Sequence, residues 1–230
     1  MRKAARVISA NARPISSRTT QPFARALAAA ALAALLVLLG AAREGRGATF
    51  DQATLAASKS LEAKLQILES NDTQPSVSYP AVIITTYEAN SYLKVHSGEF
   101  LPPGVHTPSL SVQPEHVTAS ADVDFDELSR SYPNPNDWGP KILAAMFHGT
   151  QHVTVTAKIQ SANAGVLVQI ESVVVGSMTV PSWLVDLMIQ KFLQPRYNFD
   201  MSKPLAYPDH VTQIVLGSGQ VTFLRGGRRQ

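Results

Sequence analysis

From Val117 to Phe125 apolar residues fall at every second position, with His116, Thr118, Ser120, Asp122 and Asp124 between them. Strict alternation places one set on each face of a strand, so this segment predicts an antiparallel strand with one buried and one wet face. The same pattern recurs at Val153, Val155, Ala157 and Ile159, against His152, Thr154, Thr156, Lys158 and Gln160. Leu110 and Val112 begin an earlier strand that Pro114 interrupts. From Val166 the alternation continues through Val168 and Ile170, then resumes out of phase at Val173 and Val175. A phase shift near Ser172 predicts a bulge that bends the strand. Val211–Leu216 and Gln220–Leu224 flank Gly217-Ser218-Gly219, a compact hairpin signal.

Helical periodicity appears in four places. Leu61, Leu65 and Leu68 share one face of a helix that runs to about Ser70, and Thr49 and Gln52 have the spacing of a capping box at its start. This first helix is either an added layer or a stalk. After the β-rich run Ala81–Ile84, Thr85 and Glu88 have capping-box spacing for a short helix over Tyr87–Leu93, with Ala89, Tyr92 and Leu93 inward. Glu88 reads as a capping partner and Asn90 as a structural hydrogen-bonding residue. Pro140 opens a short helix carrying Ile142, Leu143, Met146 and Phe147, after a Pro/Asn loop at 131–139 that contains Trp138.

The fourth helix, 181–193, differs in kind. Pro181 suits its first position and Pro195 stops it. Between them only Ser182, Asp186, Gln190 and Lys191 are polar. That exceeds the stripe of about 100° of a surface helix, and the run is too short for the roughly 20 residues that span a bilayer. It therefore calls for cover on most sides. The pattern as a whole predicts an α+β domain: a curved, mainly antiparallel sheet wrapped around a buried apolar helix, with the N-terminal helix peripheral. The apolar helix is then either plain core or one wall of a ligand groove. The candidate groove residues are Trp183, Leu184, Leu187, Met188 and Phe192, facing Val168 and Ile170.

Charge revises the first impression. The 230 residues carry a formal +3, but residues 1–42 hold six of the Lys and Arg and no Asp or Glu, so the remainder is +3 − 6 = −3. A mildly acidic body lacks the basic face that phosphate binding requires, which excludes a nucleic-acid partner. The six cations precede an unbroken Ala/Leu/Val/Gly run, Ala26–Ala42, and orient it with its N-terminus inside. That run is expected to act as a cleaved secretory signal or, uncleaved, as a membrane anchor. Either exports the body to the periplasm or cell envelope, and an inner-membrane tether at 26–42 is the second form of that expectation. The absence of cysteine excludes disulfides and thiolate chemistry and suits an oxidising compartment. The chain divides into leader or anchor (1–42), spacer, helix and linker (43–78), α+β domain (79–225) and basic tail (226–230).

Candidate chemistry is sparse. Asp122-x-Asp124-x-Asp126 resembles the opening of a calcium loop, but an EF-hand needs Gly and Glu where Glu127 and Pro133 stand. His148 and His152 are four apart, yet on a loop entering a strand they do not converge as they would on a helix. No nucleotide-binding, hydrolase-elbow or zinc-protease motif occurs, so no cofactor or metal and no catalytic residue is expected. A hydrolase assembled from Glu88, an Asp of 122–126 and a His is the remote alternative.

The order of elements resembles a family. A strand leads into Ile84-Thr-Thr-Tyr-Glu-Ala-Asn-Ser-Tyr-Leu93, and alternating strands follow. Val173–Leu193 then carries a V-x-V-G strand into a Pro-led apolar helix, and Pro208, Val211, Ile214, Gly219 and Val221 mark a closing hairpin. Over about residues 80–225 this is similar to small exported envelope proteins of the LmeA and YpmS type. The resemblance implies noncatalytic binding or transfer of a lipid or other hydrophobic ligand along an apolar groove. The long N-terminal helix and the 131–139 loop depart from that pattern. The competing expectation is an envelope scaffold that binds another protein through its sheet.

Overall fold

A computed structural model of the chain describes residues 49–69, 80–101, 103–131, 145–162, 165–190, 203–207 and 211–226. The leader, the linker at 70–79, the loop with Trp138, the start of the helix at Pro140, and Phe192 lie outside the described residues.

The alternating segments become the centre of an antiparallel sheet. β1 (Val82–Thr85) stands apart; β2 (Val105–Gln113), β3 (His116–Asp124), β4 (Thr150–Ala162), β5 (Gly165–Val175) and β6 (Met178–Thr179) follow one another as neighbours, and β7 (Leu205–Ala206) pairs with β5. Ala121 pairs with Val153 and Ala119 with Val155, so the apolar rows of β3 and β4 face the same side. Between Thr156/Ser172 and Ala157/Ile170 the β4–β5 register slips by one. Glu171 is the extra residue of the expected bulge, and it lets Val168 and Ile170 point inward together with Val173 and Val175. A second bulge, which the sequence did not announce, sits in β2 between His106 and Ser109. There Thr107 takes a left-handed φ of 46°.

β1 and the two C-terminal strands make a second sheet. β8 (Val211–Gly217) and β9 (Gln220–Arg225) form the hairpin, and β1 joins its outer side in the order β1-β9-β8. Gly219 makes the turn with φ 75°, a conformation that costs glycine nothing. Its N–H donates to Val112 O at 2.9 Å, and its carbonyl accepts from Thr86 N at 2.8 Å. The hairpin tip is thereby pinned between the edge of the large sheet and the next helix.

The helices that pack on these sheets include α1 (Gln52–Glu69), α2 (Thr86–Phe100), α3 (Phe125–Ser131) and α4 (Ser182–Met188). α1 is an added layer rather than a stalk, packed on α2 and burying Leu61 and Leu68. Its cap is Asp51, whose carboxylate accepts from Thr54 N at 2.8 Å and Thr54 Oγ1 at 2.7 Å; Thr49 does not cap it. α2 has the expected capping box at Thr85 and Glu88 but runs on to Phe100, beyond the predicted end at Leu93. Asn90 clips it to β2, accepting from Leu110 N at 2.6 Å and donating to Leu110 O at 2.9 Å. Phe125, expected to end a strand, instead starts α3, where Asp124 Oδ1 accepts from Glu127 N at 2.9 Å.

α4 departs most from expectation. Pro181 is its cap and Ser182 its first residue. Leu184 is 3% exposed and Val185 and Leu187 are half-buried, but Trp183 is 65% exposed. The helix lies against the sheet by one side, and the sheet does not close around it. The fold is α+β with mainly antiparallel sheets. One continuous inner face carries the core. Ala121, Val123, Val153 and Val155 lie under α2, α3 and α4, while Val117, Ala119, Ala157 and Ile159 lie under the three-stranded sheet.

Candidate functional site

Where the two covers meet, packing is incomplete. A partly enclosed cavity of about 70 Å³ lies between α1, the start of α2, β2–β4 and the hairpin. Leu61 and Leu65 wall it from α1, Ile84 and Ala89 from the β1–α2 corner, and Leu110, Val112, Val117 and Ile159 from the large sheet. Leu216, Val221 and Phe223 close it from the hairpin, and the remaining lining residues, Thr85 and Thr86, are polar. An engineered apolar cavity of roughly 150 Å³ stays dry and takes up benzene. This one is about half that size, so it holds a few carbons of a chain.

Polar groups border the cavity at one corner. Glu88 is 8% exposed, and its Oε1 accepts from Ser60 Oγ at 2.6 Å and from Lys64 Nζ at 2.5 Å. Oε2 accepts from Thr85 N and Thr85 Oγ1, both at 2.9 Å. Burial pushes this carboxyl up, but the hydrogen bonds from Lys64, Ser60 and Thr85 outweigh it and hold the pKa down at about 2. Glu88 is therefore the ionic latch between α1 and the start of α2 as well as the capping partner expected. It also supplies the negative charge that a helix N-terminus favours. One residue after Thr85, Thr86 Oγ1 is buried without a hydrogen-bond partner.

The residues proposed for a groove are distributed differently. Leu184 belongs to the core under the helices, with Ile170 and Leu187 packed against it. Val168 belongs to the core under the hairpin. Trp183 faces outward. The Met188 side chain and Phe192 lie outside the described residues. None of Trp183, Leu184, Leu187, Val168 and Ile170 lines the cavity. The residues that do line it read in the sequence as ordinary core. The only local signal was that Glu88, a capping residue, had to stand beside an apolar wall at Ile84 and Ala89.

The wet face of the large sheet holds the carboxylates and histidines. Asp122 stands in register between His106 and His152. His152 Nδ1 is 2.8 Å from Asp122 Oδ1, and Thr107 Oγ1 donates to Asp122 Oδ2 at 2.5 Å. The hydrogen bond from Thr107, then that from His152, lowers the Asp122 pKa. The acid sits between the hydroxyl and the imidazole, so the imidazole cannot activate that hydroxyl as a nucleophile. Glu88 lies across the sheet from this row, and the fold does not gather it with Asp122 and a histidine. Among the described residues no three His, Cys, Asp or Glu side chains are placed to hold a metal ion.

No protein-family model, curated protein or solved structure matches this chain.

Proposed function

We propose that the protein is a noncatalytic binding or transfer protein for a lipid or other hydrophobic ligand in the cell envelope. The observation that carries this reading is the apolar cavity beneath α1, an internal space a packed core would fill. Apolar area removed from water is worth about 25 cal/mol per Å², so a chain end can be held there without polar chemistry. A longer chain has to leave the cavity along α1, whose wall residues Leu61 and Leu65 come from a separate helix rather than from the sheet. The apolar run Ala26–Ala42 is the basis for placing the protein at or beyond the membrane. Among the described residues no helix is long and apolar enough to cross a membrane.

The test is to purify the full-length chain, extract bound lipid for mass spectrometry, and titrate it with short alkanes while following the Leu61, Leu65 and Val117 methyl resonances. The expected result is recovered or acquired apolar ligand, with shifts confined to cavity methyls. A chain that carries no lipid, takes none up and shows no shifts overturns the reading.

One observation favours a second reading, a scaffold that binds another envelope protein. Ile83 and Val215 flank Thr222 in register, and with Leu224 they expose apolar side chains on the outer face of the three-stranded sheet. On this reading Val215→Lys disrupts assembly in the envelope while alkane binding is unchanged.

A further inference from the structure

The walls of the cavity are fastened in two different ways. The large-sheet wall is a run of backbone ladders, and another ladder joins β1 to the hairpin. The two are stitched together through the backbone at the hairpin tip, where Gly219 N donates to Val112 O and Gly219 O accepts from Thr86 N. Asn90 adds a two-point clip from α2 to the Leu110 backbone. Among the described residues α1 is fastened by side chains. Ser60 Oγ and Lys64 Nζ donate to Glu88 Oε1, and Arg225 Nη2 donates to Ile67 O at 3.3 Å. Lifting α1 breaks a few side-chain contacts, whereas moving the other walls tears backbone hydrogen bonds.

One group on α1 opposes the docked position. Leu61 and Leu68 are almost fully buried and favour it, as does the bond from Lys64 to Glu88. Against them stands Ser58, three residues before Leu61 and so on the same face of the helix. It is 2% exposed, and its hydroxyl is buried without a hydrogen-bond partner. Such a hydroxyl disfavours the state that buries it, and water satisfies it once the helix lifts. Leu55 and Ile67 already lie exposed on α1, so its grip on the body is confined to one stripe.

We infer that α1 is the gate of the cavity: it lifts to admit and release an apolar chain, and the Ser60–Glu88–Lys64 latch sets how often it opens. Leu61 and Leu65 of α1 line the space, so lifting the helix uncovers it from that side. This rests on the binding reading given above and adds the route of exchange and what controls its rate.

The experiment measures two things in the full-length chain: hydrogen exchange of the Leu61 and Leu65 amides against those of β3, and the rates of pentane entry and exit at the cavity methyls. It compares the wild type with Ser60→Ala, Lys64→Met and Ser58→Ala. None of these three residues lines the cavity, and the Thr85–Glu88 capping box keeps its own partners in all of them. In the wild type the α1 amides should exchange at least about tenfold faster than those of β3, the mark of a local opening. Ser60→Ala and Lys64→Met each remove one latch bond, so α1 exchange should quicken by about 3- to 10-fold more. Pentane entry and exit should quicken together by a similar factor. Its Kd should stay within about twofold, because the closed state remains dominant. Ser58→Ala removes the opposing hydroxyl and should slow both α1 exchange and pentane exchange. If pentane does not bind the wild type, the cavity reading itself fails. If pentane binds but α1 and β3 amides are equally protected, or pentane rates stay constant while α1 exchange changes, the cavity reading stands and this inference is overturned.

Discussion

Along β3 the same inner face is covered in two ways. Ala121 and Val123 lie beneath α2, α3 and α4, and there Phe125, Leu128 and Phe147 fill the space, with Phe125 and Phe147 ring centroids 5.2 Å apart. Val117 and Ala119 lie beneath the three-stranded sheet, and there a cavity remains. In the filled half α3 leads straight off the end of β3, and α4 follows closely on β6. The half with the cavity is a corner where a helix from before the domain, a strand from its start and a hairpin from its end converge. Side chains spaced with a helical period of 3.6 and a strand period of 2 cannot interdigitate completely at such a corner. Room for a ligand arises where distant segments meet.

The largest expected difference between the halves comes from deleting buried side chains. Leu184→Ala, in the filled half, should cost about 2–5 kcal/mol in denaturant unfolding. Leu65→Ala, at the half-buried wall of the cavity, should cost less than half as much and widen the space for ligand.

Adding side-chain volume tests the contrast from the other direction. Ala121 is fully buried among filled neighbours, so Ala121→Val should cost about 1–3 kcal/mol. Ala89 borders the cavity, so Ala89→Leu should stabilise by about 1 kcal/mol while abolishing short-alkane binding. If both substitutions destabilise equally, the two halves are packed alike.

The latch on α1 gives a pH signature. Glu88 has a folded-state pKa lowered from 4.5 to about 2, so its contribution is fully present above about pH 4.5 and is lost as pH falls towards 2. With Lys64 29% exposed, the latch is expected to contribute about 1–2 kcal/mol. Glu88→Gln should flatten the stability profile between pH 4.5 and 2 by that amount. An unchanged acid limb would mean that the latch does not hold α1.

The smallest effect is expected at Trp183. Being largely exposed, it should change stability by less than about 0.5 kcal/mol on replacement by Ala and leave cavity binding unaltered. Loss of ligand in Trp183→Ala would return the groove to α4.

Much of this could be read from the residues. The Val117–Val123 and Val153–Ile159 alternations became β3 and β4 with the expected faces, the phase break at Ser172 became the Glu171 bulge, and Thr85/Glu88 became a capping box. These are local consequences of backbone period, and no distant partner is needed to specify them. The candidate site was less legible. The apolar run at 181–193 shows that much of α4 avoids water but not which side meets the sheet, so Trp183 and Leu184 looked equivalent until the fold left one exposed and the other buried.

The sequence alone determined the antiparallel strands, their inner faces, the capping box of α2 and the hairpin, because each follows from spacing within a few residues. Only the tertiary structure decided that β1 and the C-terminal hairpin form a separate sheet, that Glu88 reaches Ser60 and Lys64 of α1, and that Thr86 is left unpaired beside a cavity. The reason is physical: a cavity is a mismatch among surfaces from segments up to 162 positions apart, such as Leu61 and Phe223, and no local pattern encodes how closely such surfaces approach.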